Sequence, residues 1–492
     1  MKITNHIHIS LGLVLIIVIG VLVGCSGEKG ATGQIVETGE TAETEVRAHI
    51  SQSSITYLPL VSKLPGRSTI FGVEVPSTSN DKVLTAAANS QTNWMRINGL
   101  LWSDVQPNDQ SEWLWSNEAA LEQELIQASS AGIKAILVVR STPPWAQMYP
   151  GFSCGPVSVE SLAAFATFMA ETVYRYSVPP YNVLYYEIWN EPDIDHTGFT
   201  PDSPFGCWGN IYDDFYGGDV YTQMLKQVYP AMKAANSGIQ VVLGGLLLDC
   251  DPTNPGVEGN CATEVTAIPP RFFEGILRSG GADYFDIVSF HGYPSYSVDY
   301  PVPMMAESLF PTWSAQGGVV MGKLNYLREV MAQYNVNKPI IHSEGALLFD
   351  SGDAFEEAKA DYLVWLYARN WSEGIYGTIW FTLNGPGWRN GGLLDQNQDP
   401  LPAYQAYKFM TQELAGATFI SKIEDPNTPG MVDFVFRKWS TNIHIFIPID
   451  GNTHDIMLPT GWTALYDTYG NPIISPGNPL PIQHPVYLEM GQ

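Results

Sequence analysis

Residues 185–193 of the chain read YYEIWNEPD, and this stretch decides the fold class. Its first part, residues 185–189, is a short apolar and aromatic run that is typical of a buried parallel strand. Helix-length segments lie on both sides of it, at residues 158–176 and 221–235. A strand between two helices is the repeating unit of α/β proteins, so the stretch predicts a parallel sheet covered by helices.

Seven further runs of this kind occur between about residues 68 and 412, separated by helix-length segments such as residues 355–370. Eight strands alternating with helices favour a (β/α)8 TIM barrel. The alternative is a doubly wound sheet, which normally has a Gly-rich phosphate-binding turn after its first strand. Residues 73–76 read VEVP at that point and do not resemble such a turn. The eight predicted strands are residues 69–75, 94–97, 135–140, 185–189, 240–244, 287–290, 339–343 and 378–381.

The pattern changes after about residue 415, where only short β-like runs separated by turns remain. We therefore assign residues 67–414 to a catalytic barrel and residues 415–492 to a small all-β, sandwich-like accessory domain. Residues 26–66 are rich in Gly, Thr, Ser and Glu. This composition predicts a flexible acidic tether.

Residues 1–25 have the features of an export signal. Lys2 precedes an apolar run of 13 residues at 11–23, and residues 22–25 read LVGC, which resembles a bacterial lipobox with Cys25 as the lipidated residue. As a helix the run would rise only about 20 Å, short of the ~30 Å hydrocarbon core of a bilayer. The sequence predicts an extracytoplasmic protein that is attached to the bacterial cell membrane through its N-terminal lipid only. Simple secretion and a membrane-spanning anchor are the alternatives.

An oxidising compartment favours disulfides among the other four cysteines. Cys250 and Cys261 lie in one Pro/Gly/Asn-rich loop and are the easiest pair to close, which leaves Cys154 to pair with Cys207. Neither a CxxC nor an HExxH zinc pattern occurs. Residues 395–399 read DQNQD, but the Gly and distal Glu of an EF-hand do not follow. We expect no metal and no cofactor.

The composition also limits the classes of partner. The chain of 492 residues has 50 Asp+Glu against 24 Lys+Arg, a formal net charge of −26. An acidic surface of this kind repels phosphate backbones, so we expect that the protein does not bind nucleic acid. A hydrophobic content of 45% is too high for a disordered protein. The sequence carries no signal for an oligomeric state.

Two of the predicted strand ends carry a glutamate. Glu191 follows the fourth strand and Glu344 follows the seventh. Reactive side chains of TIM barrels project from the C-terminal ends of strands, so both carboxyls should lie at one mouth. Two facing carboxylates are the arrangement that cleaves a glycosidic bond, and their proximity raises the pKa of one of them.

On these motifs the sequence resembles clan A of the glycoside hydrolases, which are retaining enzymes on (β/α)8 barrels, and most of all family 39. The resemblance rests on WNEP at residues 189–192 and HSE at residues 342–344. It extends to Arg96 on strand two, to HGY at residues 291–293 and to Trp380 on strand eight. It implies that Glu191 is the general acid/base and Glu344 the nucleophile, and that no cofactor is required.

The resemblance also implies roles in substrate binding for five residues. Asn190 would bond the sugar 2-hydroxyl, and Arg96 and Tyr293 would orient Glu344. His291 would line the pocket and Trp380 would form the floor beneath the sugar. A structural ion pair for Arg96 and a packed core position for His291 are the alternatives, and Glu187 has no matched role.

The sequence thus predicts a retaining glycoside hydrolase that cleaves β-glycosidic bonds of carbohydrates, of the β-xyloside or β-glucan type, by double displacement. Two alternatives remain. One is a non-catalytic carbohydrate-binding lipoprotein, and the other is a transglycosidase that uses the same residues.

Overall fold

The computed structural model describes residues 69–76, 81–195, 200–253, 270–309, 312–349 and 352–491. The predicted signal peptide with Cys25, the predicted tether and Cys261 lie outside the described residues. In the part of the chain that is described, no helix combines the length and apolar character needed to cross a membrane.

Eight parallel strands form the predicted barrel, in the order β5-β4-β3-β2-β1-β8-β7-β6. Bridges that join Val242 to Ile287 and Leu246 to Phe290 bring β5 and β6 together and nearly close the sheet. Each predicted run overlaps one strand, so the (β/α)8 fold class is confirmed. The strands are β1 Phe71–Glu74, β2 Trp94–Leu101, β3 Lys134–Arg140, β4 Tyr185–Asn190, β5 Gln240–Gly245, β6 Val288–Gly292, β7 Ile340–Gly345 and β8 Gly377–Trp380.

Helices follow most of the strands and bury their apolar faces against the outside of the barrel. The predicted helix at residues 158–176 begins only at Leu162, because residues 159–161 form a 3-10 turn. The helices are α1 Asp81–Asn89, α2 Trp102–Val105, α3 Ala119–Ser130, α4 Leu162–Tyr176, α5 Gly218–Ala235, α6 Phe272–Arg278, α7 Val319–Gln333, α8 Asp353–Ser372 and α9 Pro402–Glu413.

The inside of the barrel changes from apolar to charged along the strands. Its lower layer is a separate apolar cluster of Trp94, Ile136, Val242, Ile287, Ile341 and Ile379, with Tyr185 packed against it. Side chains two residues apart share a face of a strand. Arg96 therefore lies above Trp94, and Glu187 lies above Tyr185. The apolar layer is the floor on which a charged layer rests.

Antiparallel strands make up the C-terminal region, as predicted. A five-stranded sheet in the order β13-β15-β11-β10-β9 and a two-stranded sheet of β12 and β14 share an apolar cluster. Trp365 and Trp371 of α8 pack against Phe434 and Phe436 of the larger sheet. The strands are β9 Thr418–Ile423, β10 Met431–Lys438, β11 Thr441–Pro448, β12 His454–Ile456, β13 Trp462–Tyr466, β14 Leu480–Ile482 and β15 Val486–Gly491.

A disulfide joins Cys154 to Cys207, with 5.2 Å between their Cα atoms, as predicted. It ties the loop after β3 to the loop after β4. Cys250 is also disulfide-bonded, and its pairing with Cys261 stays a prediction.

Candidate active site

Glu191 and Glu344 meet at the C-terminal mouth of the barrel. Both are nearly buried, with 8% and 5% of their surface exposed. One oxygen of each carboxyl and Nδ1 of His291 all lie within 4.8 Å of one another. The fold therefore brings together the two strand-end carboxyls that were expected to share one mouth.

Glu344 is held by two strong hydrogen-bond donors. Nη1 of Arg96 donates to its Oε1, and the phenol of Tyr293 donates to its Oε2. Burial, followed by the charges of Glu344 and Glu191, raises the pKa of Tyr293 well above its ordinary value, so the phenol keeps its proton. The carboxyl of Glu344 is therefore held by a cation at one oxygen and by a neutral donor at the other.

Glu191 has the opposite environment. Burial, then the charges of Glu344 and Asp193, raises its pKa well above the ordinary value of a glutamate. Nδ1 of His291 lies 2.8 Å from Oε1 of Glu191. Burial and the charge of Arg96 lower the pKa of His291 well below its ordinary value, so its ring is neutral. Glu191 is thus the carboxyl of the pair that is favoured in its protonated form.

A glycine at the end of β5 leaves the space that the imidazole ring of His291 occupies. A Cβ on Gly245 would lie 2.1 Å from Nε2 of His291. Only a residue without a side chain fits there. The same glycine accepts a hydrogen bond from the backbone N–H of Glu191, at 2.9 Å. The end of β5 therefore positions both members of the Glu191–His291 pair.

The backbone that presents Glu191 has unusual torsion angles. Trp189 has φ +76° and Glu191 has φ +49°, in the left-handed region that side chains other than glycine rarely adopt. The indole N–H of Trp189 donates to the carbonyls of Cys154 and Gly206, at 3.0 and 2.7 Å. Such angles persist where the surroundings enforce them, and they concentrate at functional sites. Here the enforcing contacts come from the two loops that the disulfide joins.

Arg96 organises a buried charge cluster beneath the carboxyl pair. Besides Glu344 it binds Glu187 through Nε at 3.1 Å and Nη2 at 2.6 Å, and Glu74 through Nη1 at 2.6 Å. Neither Glu74 nor Glu187 was predicted as a site residue. The strand period gave a signal for both, because each lies on the inward face of its strand at the height of Arg96.

Glu187→Ala should reduce the free energy of unfolding by about 3–5 kcal/mol. The change leaves the guanidinium of Arg96 without its bidentate partner and the N–H of Gly245 without its acceptor, which lies 3.0 Å away. Chemical denaturation measures the loss. The control is Asp399→Ala, which breaks a surface pair with Lys82 and should change stability by less than about 1 kcal/mol. Equal losses in the two variants would contradict this account of the cluster.

The predicted sugar-binding residues are not all at the mouth. Asn190 is there: its Oδ1 accepts from Arg96 at 2.7 Å, and its Nδ2 donates weakly to the carbonyl of Pro204 at 3.4 Å. A second N–H of that amide remains for a ligand. Arg96, His291 and Tyr293 also belong to the cluster, as described.

Trp380 departs from the expectation. Its side chain is fully buried, packs against Tyr362 of α8 and donates to the carbonyl of Gly391 at 2.8 Å. The period of β8 explains this, because Ile379 faces the barrel interior and the next residue must face the helices. Phe381 regains the inward face and contacts Tyr293, with 5.8 Å between the ring centroids. Phe381, and not Trp380, is therefore the aromatic side chain of this segment that lies beside Tyr293.

Among the described residues, one group has potential ligand atoms spaced closely enough to hold a metal ion, and it consists of Glu191, His291 and Glu344. Their contacts fit a hydrogen-bonded site better. Nδ1 of His291 is engaged by Glu191, and both oxygens of Glu344 are engaged by Arg96 and Tyr293. We assign these three residues as hydrogen-bond partners and not as metal ligands.

Comparisons with known proteins agree with the architecture. No protein-family model matches the chain, and no curated protein matches its sequence. Solved structures do match. A family 39 glycoside hydrolase from Bacteroides cellulosilyticus WH2 has 19% identity and a TM-score of 0.63, over 86% of this chain and 81% of the other.

Two further structures match over nearly their whole length. A monomeric β-xylosidase from Caulobacter crescentus CB15 has 14% identity and a TM-score of 0.57, over 87% of this chain and 96% of the other. A family 30 subfamily 8 xylanase from Clostridium acetobutylicum has 12% identity and a TM-score of 0.55, over 87% and 97%. The chain therefore has the fold of the family 39 and family 30 glycoside hydrolases, and the resemblance predicted from its strand-end motifs is confirmed at the level of the fold.

Proposed function

We propose that this protein is a retaining glycoside hydrolase that cleaves β-glycosidic bonds by double displacement. The observation that carries the proposal is the pair Glu191 and Glu344, with carboxyl oxygens within 4.8 Å of each other and opposite electrostatic environments. Retaining enzymes have carboxyl groups about 5–5.5 Å apart, whereas inverting enzymes need about 6.5–9.5 Å to admit a water molecule. The short separation supports retention.

In the first step Glu191 donates its proton to the glycosidic oxygen. The bond from the anomeric carbon to that oxygen breaks, and the leaving sugar or alcohol departs with the proton. A carboxylate oxygen of Glu344 forms an ester with the anomeric carbon from the opposite face. Asn190 is placed to bind the 2-hydroxyl, where hydrogen bonds strengthen in the transition state.

The second step reverses the roles. Esterification removes the charge of Glu344, which is the second largest cause of the raised pKa of Glu191. The pKa of Glu191 therefore falls, and its carboxylate accepts a proton from water. The water oxygen bonds to the anomeric carbon, the ester bond breaks, and Glu344 regains its negative charge. Two inversions give net retention of the anomer.

For the substrate we propose a β-xyloside or β-glucan type of carbohydrate. Two of the structural neighbours are described as a β-xylosidase and a xylanase. The partly exposed rings of Phe381 and Trp388 beside Tyr293 offer flat apolar surfaces of the kind that sugar rings contact. We further propose that the lipobox at Cys25 anchors the protein outside the cytoplasm.

Product stereochemistry tests the mechanism. Chromogenic β-xylosides and β-glucosides identify a turned-over substrate, and proton NMR then follows its hydrolysis. The first product should carry the β anomer, which later equilibrates in water. An α anomer as the first product would overturn the double displacement. Sugar binding without turnover of any substrate would favour the non-catalytic alternative.

A further inference from the structure

Glu74 belongs to the Arg96 cluster, yet it has no role in the two-step mechanism. It lies at the end of β1 and is 2% exposed. Its Oε2 accepts from Nη1 of Arg96 at 2.6 Å, and the same nitrogen donates to Glu344. Because one nitrogen binds an oxygen of each residue, the carboxyls of Glu74 and Glu344 lie close together inside the buried cluster. Two buried carboxyls in such proximity do not both ionise, so one of them carries a proton.

The charges of the cluster decide which carboxyls are ionised. One guanidinium faces three buried carboxyls, and ionisation of all three would leave two buried negative charges uncompensated, which would be very costly. Glu187 accepts three N–H bonds, two from Arg96 and one from Gly245, so it is satisfied as an anion. Glu344 accepts from Arg96 and Tyr293. Among the described residues, the donor to the carboxyl of Glu74 is Nη1 of Arg96, which it shares with Glu344, so the proton is assigned to Glu74.

We propose that Glu74 is a neutral carboxylic acid whose O–H donates to the carboxylate of Glu344, which makes it a positioning residue for the nucleophile. The charged and titratable groups around it are Arg96 on the neighbouring strand β2 and Arg140 on β3, with Glu187, Glu344 and Tyr293 on other strands of the barrel and the loop that follows β6. Burial and then the charge of Glu344 raise the pKa of Glu74 well above its ordinary value, against the lowering effect of Arg96.

Such a donor has two effects on the proposed reaction. It fixes the carboxyl plane of Glu344 with a third contact, in addition to Arg96 and Tyr293. It also stabilises the carboxylate that is released when the ester breaks, which assists the second displacement. These consequences rest on the proposed function, whereas the protonation of Glu74 does not.

Infrared spectroscopy tests the proton directly. All variants carry Glu191→Gln, which removes the other protonated carboxyl of the site. At neutral pH, the spectrum of this background protein minus that of the protein with Glu74→Gln added should contain a carboxylic-acid stretch. The spectrum of the background minus that of the protein with the matched Glu187→Gln added should contain no such stretch. The proposal would be overturned if the carboxylic-acid stretch disappeared when Glu187→Gln was added and persisted when Glu74→Gln was added. The result does not depend on turnover, so failure of the hydrolase proposal is recognised separately.

Kinetics of the single variant Glu74→Gln give a second test on an active enzyme. The amide is also a neutral donor, but a weaker one, so kcat/KM at the optimum should fall about 3- to 10-fold. The acidic limb of the pH profile should move to higher pH by about 0.5–1 unit. If Glu74 were an anion, its replacement would remove a repelling charge and move that limb to lower pH, which would refute the assignment.

Discussion

Glu344→Gln should lower kcat for unactivated β-glycosides by about 10⁴- to 10⁶-fold. The amide has almost the shape of the carboxyl, but it carries no charge and does not form the ester. Arg96 keeps an oxygen to which it can donate, so the barrel should remain folded. Steady-state assays with a chromogenic substrate measure the loss, and circular dichroism checks the fold.

The matched control is Glu373→Gln, at the end of α8, where the carboxyl is paired with Arg328 at the protein surface. Its activity should stay within about twofold of the unmodified protein, since surface changes have small effects. In Glu344→Gln the pKa of Glu191 should also fall, because one cause of its rise has been removed. Turnover above a tenth of the original rate would exclude Glu344 as the nucleophile.

Glu191→Ala should lower kcat/KM by about 10²- to 10⁴-fold for substrates with a poor leaving group. It should have little effect on kcat/KM for dinitrophenyl glycosides, which need no proton to leave. The second step then lacks its base, so the glycosyl-enzyme accumulates and a burst of dinitrophenol precedes slow turnover. Azide, a small anion that fits the vacated space, should restore turnover and yield a β-glycosyl azide.

The comparison variant for this experiment is Glu344→Ala. In this variant azide would take the place of the missing carboxylate of Glu344 and attack the anomeric carbon directly. One inversion at that carbon would give an α-glycosyl azide. The anomer of the product therefore identifies which carboxyl stood on which face of the sugar. If Glu191→Ala produced the α anomer, the two roles would have to be exchanged.

The strand-end glutamates were predictable because the C-terminal ends of parallel strands converge at one mouth. That rule needs only the order of strands and helices, which the apolar runs supply. It placed Glu191 and Glu344 together although 153 positions separate their sequence numbers. The contacts of Arg96 with Glu344 and of Tyr293 with Glu344 agree with the orienting roles that the resemblance implied.

The remaining errors came from side-chain direction. Strand eight was predicted at residues 378–381, but an apolar run buried on both faces does not indicate which residues point inward. Trp380 was therefore assigned to the sugar site, and Phe381 was overlooked. Glu74 and Glu187 were missed although the strand period directs both side chains inward, because neither belongs to the motifs that carry the resemblance. Their pairing with Arg96 also depends on the stagger of the strands around the barrel, which a single strand's pattern does not encode.

The cross-link between Cys154 and Cys207 has a consequence for maturation. It fastens the loops whose carbonyls hold the indole of Trp189, two residues before Glu191, the proposed general acid. A newly made chain with reduced thiols lacks this covalent brace, and the strained torsion angles around Glu191 then depend on weaker contacts alone. Oxidation thus completes the proposed active site, so we expect the protein with reduced Cys154 and Cys207 to be a poorer catalyst than the disulfide-bonded form.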